Sequence, residues 1–157
     1  MTQRVGIGFD AHRFTPDRPL VLGTVRIDHP EGLAGHSDGD VLAHAIVDAL
    51  LGAAGLGDIG THFPSSDSRW KDAESGLFLR HAASAAREAG YRITGVDATV
   101  VCEAPRIEPY RETIRDALRA LLGAEAVGVK ATTTDGMGFT GRGEGIAALA
   151  VALLESA

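Results

Sequence analysis

Acidic and imidazole side chains lie close together at two places near the start of the chain. In GFDAHRF, residues 8 to 14, Asp10 and His12 are two positions apart at the end of an apolar run. If the run is a strand that persists to residue 12, both side chains leave the same face. An aspartate and a histidine on one face are typical partial ligands of a divalent cation, and they also occur as a hydrogen-bonded pair at a strand end. These two residues alone leave both interpretations open.

The second polar cluster is GHSDGDVLAH, residues 35 to 44, at the predicted start of a helix. Free backbone N–H groups and the positive end of the helix dipole attract anions there. Ser37 and Asp40 are spaced as in a capping box, so part of this polarity is structural.

His44 is not explained by capping. It lies one turn inside an otherwise apolar helix, one turn from both Asp40 and Asp48, so a carboxylate could orient its ring as in metal sites. A buried, hydrogen-bonded core histidine is the alternative. Together with Asp10 and His12, His44 forms an Asp/His/His set that suits Zn²⁺ and leaves a fourth position for substrate.

Two later stretches could bind phosphate and a planar base. KATTTDGMGFTGRGEG, residues 130 to 145, contains three consecutive threonines, two cations and five glycines. Its hydroxyl and N–H groups could hold phosphate oxygens, although it matches neither the P-loop nor the dinucleotide fingerprint and an ordinary flexible loop has the same composition. CEAPRIEP, residues 102 to 109, follows a predicted strand and could present backbone groups to a base, or could simply end the strand in a turn.

The remaining pattern predicts the elements that position these stretches. Their order indicates an α/β layer fold, a small mixed sheet covered by helices. The polar segment TPDRP suits a loop that joins the first two strands as an antiparallel pair. Strands are predicted at 4–9, 20–27, 96–103 and 127–131, and helices at 41–54, 77–90, 110–122 and 145–155.

Composition narrows the class of protein. The 157 residues fit a single domain, residues 1–157, that is large enough for a normal core. One cysteine and an N-terminus without a signal-peptide pattern lead us to expect a soluble, reduced, cytoplasmic protein. The apolar stretch at 146–154 is too short to span a membrane. The net charge of −6 argues against a nucleic-acid partner and permits a small anionic ligand held by metals or local cations.

Three motifs, in this order and spacing, resemble one known family. They are GFDAHRF, GHSDGDVLAHAIVDALLGAAGLGDIGTHFP and KATTTDGMGFTGRGEGIA. Together they resemble the 2-C-methyl-D-erythritol 2,4-cyclodiphosphate synthases of the non-mevalonate isoprenoid pathway, over essentially the whole chain. The resemblance implies a subunit with helices on one face of its sheet, a homotrimer with the sheets packed around its axis, and active sites between subunits.

The resemblance also implies cofactors and site residues. Asp10, His12 and His44 would bind one Zn²⁺ per subunit, and a second divalent cation, Mg²⁺ or Mn²⁺, would accompany the substrate diphosphate. His36, Ser37 and Thr133 match positions that hold and polarise phosphate, and His36 and Thr133 are the predicted catalytic residues. The predicted substrate contacts are Asp10, Ala11, His12, His36, Ser37, Asp58, Ile59, Gly60, Phe63, Pro64, Ser65, Ser66, Asp67, Cys102, Glu103, Ala104, Pro105, Arg106, Ile107, Glu108, Thr132, Thr133, Thr134, Asp135, Phe139 and Arg142.

Two places depart from the family's pattern. Asp135 stands where some members have glutamate, which predicts a shortened or water-mediated contact to the second metal. Cys102, Glu103, Arg106 and Ile107 differ from the expected base-binding turn. Because recognition there can run through backbone groups, we expect altered contacts and an unchanged choice of cytosine.

The implied reaction converts 4-diphosphocytidyl-2-C-methyl-D-erythritol 2-phosphate, a cytidine diphosphate derivative, to 2-C-methyl-D-erythritol 2,4-cyclodiphosphate with release of CMP. A protein with this activity is a metal-dependent phosphorus–oxygen lyase. Two alternatives also fit the residues. One is a metal-dependent phosphohydrolase whose nucleophile is an activated water, and the other is a metal-stabilised trimeric module that only binds nucleotides or diphosphates.

Overall fold

Seven strands form the sheets of the protein, in a computed structural model that describes residues 1–157. They are β1 (Gln3–Thr15), β2 (Leu20–Leu22), β3 (Val25–Ile27), β4 (Gly32–Leu33), β5 (Tyr91–Val101), β6 (Ala126–Thr132) and β7 (Gly145–Ser156). The central sheet has the order β4-β1-β7-β5-β6. Its β5 and β6 are parallel and its other neighbours antiparallel, while β2 and β3 form a separate antiparallel pair.

Helices cover one face of the central sheet. They are α1 (Val41–Ala54), α2 (Ile59–His62), α3 (Ser75–Glu88), α4 (Arg111–Leu122) and α5 (Gly138–Gly141), with 3₁₀ turns at Ser68–Trp70 and Glu108–Tyr110. α1 packs on β1 and β7, and α3 packs on α1 and β5. Sheet and helices share one buried apolar cluster, so the predicted α/β fold with a small mixed sheet is confirmed.

The strand β1 meets α1 through glycines. Gly6 and Gly8 face the helix, and a Cβ built on them would lie 2.0 Å from the Ala49 carbonyl oxygen and 1.8 Å from that of Ala45, respectively. No side chain fits at such distances, so strand and helix approach this closely only because both residues lack a Cβ.

The opposite face of the sheet carries large apolar side chains that a single chain leaves exposed. Strand alternation turns Val5, Ile7 and Phe9 away from α1, and they are 68%, 71% and 57% exposed. Leu149 and Val151 continue this patch on the adjacent strand β7. A contiguous apolar patch of this kind is typical of a protein–protein contact.

The prediction of a last helix at 145–155 is wrong, because this segment forms the strand β7. The run GIAALAVALLE is apolar throughout, and such a run does not distinguish a buried helix from a buried strand. β7 lies between β1 and β5 and pairs with both. This pairing satisfies the backbone groups of three strands, and it outweighs the helix propensity of alanine and leucine.

The predicted strand at 20–27 is also wrong in part. It is interrupted by Gly23 and Thr24, whose φ angles are 57° and 69°, and it folds back on itself as the hairpin of β2 and β3. It does not form the expected antiparallel pair with β1, whose partners are β4 and β7.

The helix predicted at 41–54 is confirmed with the same bounds as α1, and the other predicted helices and strands are confirmed with different bounds. The residue that caps the N-terminus of α1 is Asp40, whose carboxylate accepts a hydrogen bond from the amide of Ala43 at 3.0 Å. The predicted capping box beginning at Ser37 is therefore wrong. None of the helices has the length and apolar character needed to cross a membrane.

Candidate metal and phosphate site

The predicted metal ligands on β1 and α1 come together. The alternation that turns Gly6 and Gly8 toward α1 does the same for Asp10 and His12, and His44 in the first turn of α1 meets them. Asp10 Oδ2 lies 2.7 Å from His12 Nε2 and 3.1 Å from His44 Nδ1, and these two nitrogens are 3.3 Å apart. We call these three residues the triad.

Each imidazole of the triad is oriented by a second hydrogen bond. His12 Nδ1–H donates to the carbonyl oxygen of Ala34 at 2.6 Å. His44 Nε2 lies 3.1 Å from Ser37 Oγ, and both residues are buried. Bonds of this kind fix the orientation of the ring and decide which nitrogen faces a metal.

The prediction that Asp40 or Asp48 orients the His44 ring is wrong. The carboxylate of Asp40 is fully buried and accepts from the amide of Gly23 at 2.9 Å. Asp48 accepts from the amide of Ile59 at 2.8 Å. Both carboxylates therefore tie neighbouring segments to α1, because buried acceptors need donors, and these are backbone amides and, for Asp40, also the Ser75 hydroxyl at 2.6 Å.

The hydrogen bonds within the triad shift two pKa values. Burial raises the pKa of Asp10, but the hydrogen bonds and charges of His12 and His44 outweigh it, and the pKa falls to about 2. Burial lowers the pKa of His12, but the hydrogen bond and charge of Asp10 and the Ala34 carbonyl outweigh it, and the pKa rises. The carboxylate is therefore ionised at neutral pH, as a metal ligand must be.

The triad fits Zn²⁺ in donor chemistry and in spacing. Zn²⁺ takes imidazole nitrogen and carboxylate oxygen at about 2.0–2.2 Å, and tetrahedral geometry then separates neighbouring donors by about 3.3 Å. The distances of 3.1 and 3.3 Å that join His44 Nδ1 to Asp10 and to His12 are close to this value, whereas the 2.7 Å between Asp10 and His12 is a hydrogen bond that would lengthen around an ion. Three protein ligands leave one position for substrate.

A cavity of about 310 Å³ opens beside the triad. His36 and Ser37, both predicted to hold phosphate, form part of its wall. His36 Nε2–H donates to the carbonyl oxygen of Asp67 at 3.1 Å, which fixes the ring against the loop after α2. The cavity is lined by Asp10, His12, His36, Ser37, His44, Ile59, Gly60, Phe63, Ser65, Trp70 and Phe78.

Trp70 and Phe78 line this cavity and were missed from the sequence. The Phe63 ring contacts both edge-on, with ring centroids 4.8 Å and 4.5 Å away. The indole Nε1 of Trp70 is buried without a hydrogen-bond partner. Aromatic residues in such a segment are typical of ordinary core packing, so the sequence contains no signal for their place at the cavity.

The predicted base-binding turn and the threonine stretch meet at a second cavity, of about 200 Å³. The Glu103 carboxylate accepts from the amides of Thr134 and Gly136 at 3.3 Å and 3.2 Å, which ties the two stretches together. Burial and the charge of Glu103 raise the pKa of the Cys102 thiol to about 11. The lining residues are Cys102, Glu103, Pro105, Arg106, Ile107, Glu108, Arg111, Ala131, Thr132 and Thr133.

A single chain does not bring the two cavities together. Asp10, Ala148, Val100 and Ala131 lie in one row across β1, β7, β5 and β6. Neighbouring strands are about 4.8 Å apart, so the row spans roughly 14 Å. The cavities share no lining residue. His36 and Thr133, the predicted catalytic residues, therefore lie in different cavities.

The other predicted contacts lie outside the lining of these two cavities. Ala11 and Phe139 line a third depression, of about 510 Å³, together with His12 of the triad. Asp58 and Asp67 cap the short helical turns that follow them. The Arg142 guanidinium donates to the Glu144 carboxylate at 2.7 Å. Five other predicted contacts line none of these three cavities: Pro64, Ser66, Ala104, Thr134 and Asp135.

An α/β subunit in which one carboxylate and two imidazoles converge beside a cavity is the arrangement of a metal-dependent enzyme. The chain matches the YgbB family over residues 3–155, and it belongs to that family. A 2-C-methyl-D-erythritol 2,4-cyclodiphosphate synthase of Alkalilimnicola ehrlichii is 57% identical over 154 residues, which is 96% of this chain and 94% of the relative. The resemblance carried by the three motifs is confirmed.

Some relatives are longer proteins. The bifunctional enzyme IspD/IspF of Erythrobacter litoralis is 57% identical over 151 residues, and the chain spans 95% of its own length but 39% of that relative. The bifunctional IspDF structure from Campylobacter jejuni has a TM-score of 0.95 and 40% identity, covering 99% of this chain and 43% of the other. The IspF structure of Plasmodium falciparum, a CDP complex, has a TM-score of 0.85 and 34% identity, covering 98% and 96%.

Proposed function

We propose that the chain converts 4-diphosphocytidyl-2-C-methyl-D-erythritol 2-phosphate to 2-C-methyl-D-erythritol 2,4-cyclodiphosphate and CMP, in the non-mevalonate route to isoprenoid precursors. The observation that carries the proposal is the convergence of the triad in one cavity with His36 and Ser37. Membership of the YgbB family, with curated relatives named for this cyclodiphosphate, supports the same function.

This reaction needs no nucleophile from the protein. An oxygen of the 2-phosphate attacks the β-phosphorus, and the bond from that phosphorus to the bridging oxygen of CMP breaks, so CMP leaves with the electron pair. No water is consumed and nothing is oxidised. Two anions must approach each other and a flexible chain must fold back, so the protein's task is positioning and charge neutralisation.

His36 and Ser37 supply hydrogen-bond donors at the wall of the triad cavity. The Nε2 proton of His36 is engaged by the Asp67 carbonyl, so Nδ1 is the ring atom left to face a phosphate oxygen. When His44 presents Nδ1 to a metal, its Nε2–H donates to Ser37 Oγ. The hydroxyl proton of Ser37 is then directed to another phosphate oxygen.

We propose Zn²⁺ as the resident metal, one ion per subunit, with the triad as its ligands. Zn²⁺ bound there supplies Lewis acidity to a phosphate oxygen. A second divalent cation, Mg²⁺ or Mn²⁺, is proposed to enter with the substrate diphosphate, with the exposed carboxylate of Asp135 as its contact from the protein.

The second cavity is proposed to hold the cytidine end of the substrate. Two solved relatives are described as CDP-bound, which supports a cytidine nucleotide as the ligand of this chain. The turn from Cys102 to Glu108 would surround the base, while the hydroxyls of Thr132 and Thr133 would hold phosphate oxygens. Thr133 would continue to donate to the phosphate during transfer.

Complete active sites are proposed to form between copies in a homotrimer. Within one chain the triad cavity and the threonines are roughly 14 Å apart, so residues from both can reach one phosphate group only if they come from different copies. The exposed Val5, Ile7 and Phe9 offer a surface for association, and the number three rests on the resemblance. We also propose that residues 1–157 act as one domain in the cytoplasm.

Product analysis tests the proposed function. Zinc-loaded protein with Mg²⁺ is given the substrate in ¹⁸O-labelled water, and the products are followed by ³¹P NMR and mass spectrometry. The expected result is CMP and one cyclic product in equal amounts, with no ¹⁸O in either. Label in a phosphate would instead identify a phosphohydrolase. Nucleotide binding without CMP release over many turnovers would leave only a binding module.

A further inference from the structure

We propose that Arg18 is a positioning residue for the phosphate-binding pair His36 and Ser37, and that it acts through the backbone of their loop. The inference rests on the proposed function of that pair. Arg18 lies between β1 and β2, and its guanidinium reaches the loop between β4 and α1.

The Arg18 guanidinium holds the two carbonyl groups that flank His36. Nη1–H donates to the carbonyl oxygen of Gly35 at 2.9 Å, and Nη2–H donates to that of Ser37. The carbonyl of His36 itself accepts from the amide of Asp72 at 2.8 Å. Three successive carbonyls are therefore held by neighbouring segments. A planar guanidinium with N–H groups in fixed directions can hold two carbonyls at once, which a lysine ammonium does less well.

The same loop keeps free amides. Neither the amide of His36 nor that of Ser37 donates a hydrogen bond within the chain. The C=O and N–H of one planar peptide unit point in opposite directions. Holding the Gly35 carbonyl toward Arg18 therefore turns the His36 amide away from Arg18, and holding the His36 carbonyl toward Asp72 turns the Ser37 amide away from Asp72. Free backbone amides beside a side-chain donor are suited to phosphate oxygens.

The charge of Arg18 is directed at the loop rather than at a carboxylate. Its one ion pair is with Asp72, whose Oδ1 lies 3.7 Å from Nη2. The Arg18 side chain is 21% exposed and that of Asp72 is 74% exposed, so the pair is solvated and contributes little. Arg18 thus leaves a positive charge behind a loop that is proposed to bind phosphate, which favours the anion.

The test compares nucleotide affinity and turnover in zinc-loaded Arg18→Ala and Arg18→Lys variants. CDP carries the β-phosphate that CMP lacks, so the ratio of their Kd values reports the phosphate contact separately from the base contact. Arg115→Ala is the matched control, because Arg115 is 46% exposed on α4 and pairs only with its neighbour Asp116.

Wild type is expected to bind CDP more tightly than CMP. Arg18→Ala should lower kcat by about 10- to 100-fold and reduce the preference for CDP by a similar factor, the effect of losing one or two charge-assisted hydrogen bonds. Zinc content and CMP affinity should not change. Arg18→Lys should be intermediate, and a low concentration of guanidinium should restore part of the kcat of Arg18→Ala.

Two results would overturn the role of Arg18. One is an unchanged kcat and CDP preference in Arg18→Ala. The other is a parallel loss of zinc, CMP affinity and kcat, which would show that Arg18 only stabilises the fold. If Arg18→Ala does not fold, Arg18→Lys takes its place in the test, and an unchanged preference for CDP over CMP in that variant would overturn the role of Arg18. Absence of turnover in the wild type would reject the proposed function. The role of Arg18 would still be decided by comparing the ratio of the Kd values for CDP and CMP between the wild type and the variants.

Discussion

The two halves of the proposed active site are built in different ways. In the metal half, both triad imidazoles have second hydrogen bonds, and Ser37 and His44 are each 7% exposed. In the nucleotide half, Thr132 and Thr133 are exposed, and the Thr133 hydroxyl has only two long contacts, both with Asp135: it donates to the carboxylate at 3.4 Å and accepts from the amide at 3.3 Å. One chain therefore preforms the metal site, whereas the nucleotide half depends on substrate and on a neighbouring copy.

The difference follows from the position of each half in the sheet. The triad lies where β1 packs tightly on α1, and both elements are surrounded by other elements. The threonines lie at the end of β6, which is the edge strand of the sheet. Residues at an edge have fewer neighbours to satisfy their polar groups, so they remain available to a ligand.

The largest expected effect is that of His44→Ala. Removing one of three ligands should abolish zinc retention through dialysis and lower turnover on the order of a thousandfold, because the remaining two donors do not hold the ion. Elemental analysis and CMP release measure the two effects. His29→Ala, outside the triad, should change neither. A His44→Ala protein that keeps both zinc and turnover would show that the ligand assignment is wrong.

The next effect is that of Ile7→Glu on the exposed sheet face. Ile7 is 71% exposed in one chain, so the subunit should still fold and bind zinc. A buried charge in the contact between copies should prevent association, and turnover should fall about 100-fold with the loss of shared sites. Light scattering should show the mass of a trimer in wild type and of one chain in the variant.

The control for this surface is Leu77→Glu, since Leu77 is 41% exposed on α3, on the other side of the molecule from the sheet face. It should keep the mass and turnover of wild type. A dissociated Ile7→Glu protein with full turnover would contradict the proposal that sites form between copies.

A smaller loss is expected for Thr133→Ala. The hydroxyl is proposed to hold phosphate and does not contact the triad, so turnover should fall about 10- to 100-fold while the zinc content stays unchanged. Thr2→Ala, at the exposed N-terminus, is the control. Loss of zinc in Thr133→Ala would argue against the separation of the two halves.

The smallest effect concerns the reactivity of Cys102. Burial and the charge of Glu103 raise its pKa to about 11, so at pH 8 the thiol is almost entirely protonated and alkylation should be slow. The rate should rise as the pH approaches 11, and the unfolded protein should react near the ordinary cysteine pKa of about 8.5. Mass spectrometry after iodoacetamide treatment measures this. Rapid alkylation of the folded protein at pH 8 would contradict the raised pKa.

The sequence predicts the pairing of Asp10 and His12 because strand alternation is local, whereas His44 is 32 residues from His12 and meets them only through the packing of α1 on β1. Strand alternation places Asp10 and His12 on one face, and His44 is one turn into a helix that follows shortly after. The hydrogen bond between Ser37 and His44 could not be predicted, because the spacing of Ser37 and Asp40 indicates a capping box. The distance of roughly 14 Å between the two cavities could not be predicted either. It corresponds to about three strand spacings, and strand order is a property of the whole sheet.

The wrong prediction of a helix at 145–155 also arises because the sheet as a whole, rather than the local sequence, decides the structure of this segment. An apolar run rich in alanine has no period that decides between helix and strand. The outcome depends on pairing with β1 and β5, both distant in sequence. Packing against α1 also explains why Val5, Ile7 and Phe9 face outward. The inward positions of β1 are occupied by Gly6 and Gly8, because only glycine allows the strand to approach the helix so closely.

Anomalous scattering at the zinc edge, from crystals grown with zinc and CMP, tests the central claim most directly. The account predicts one zinc peak per chain, about 2.0–2.2 Å from the Asp10 carboxylate, His12 Nε2 and His44 Nδ1. It also predicts CMP against the Cys102–Glu108 turn of a neighbouring copy. Zinc bound elsewhere, or triad side chains pointing apart with no cation among them, would contradict the account.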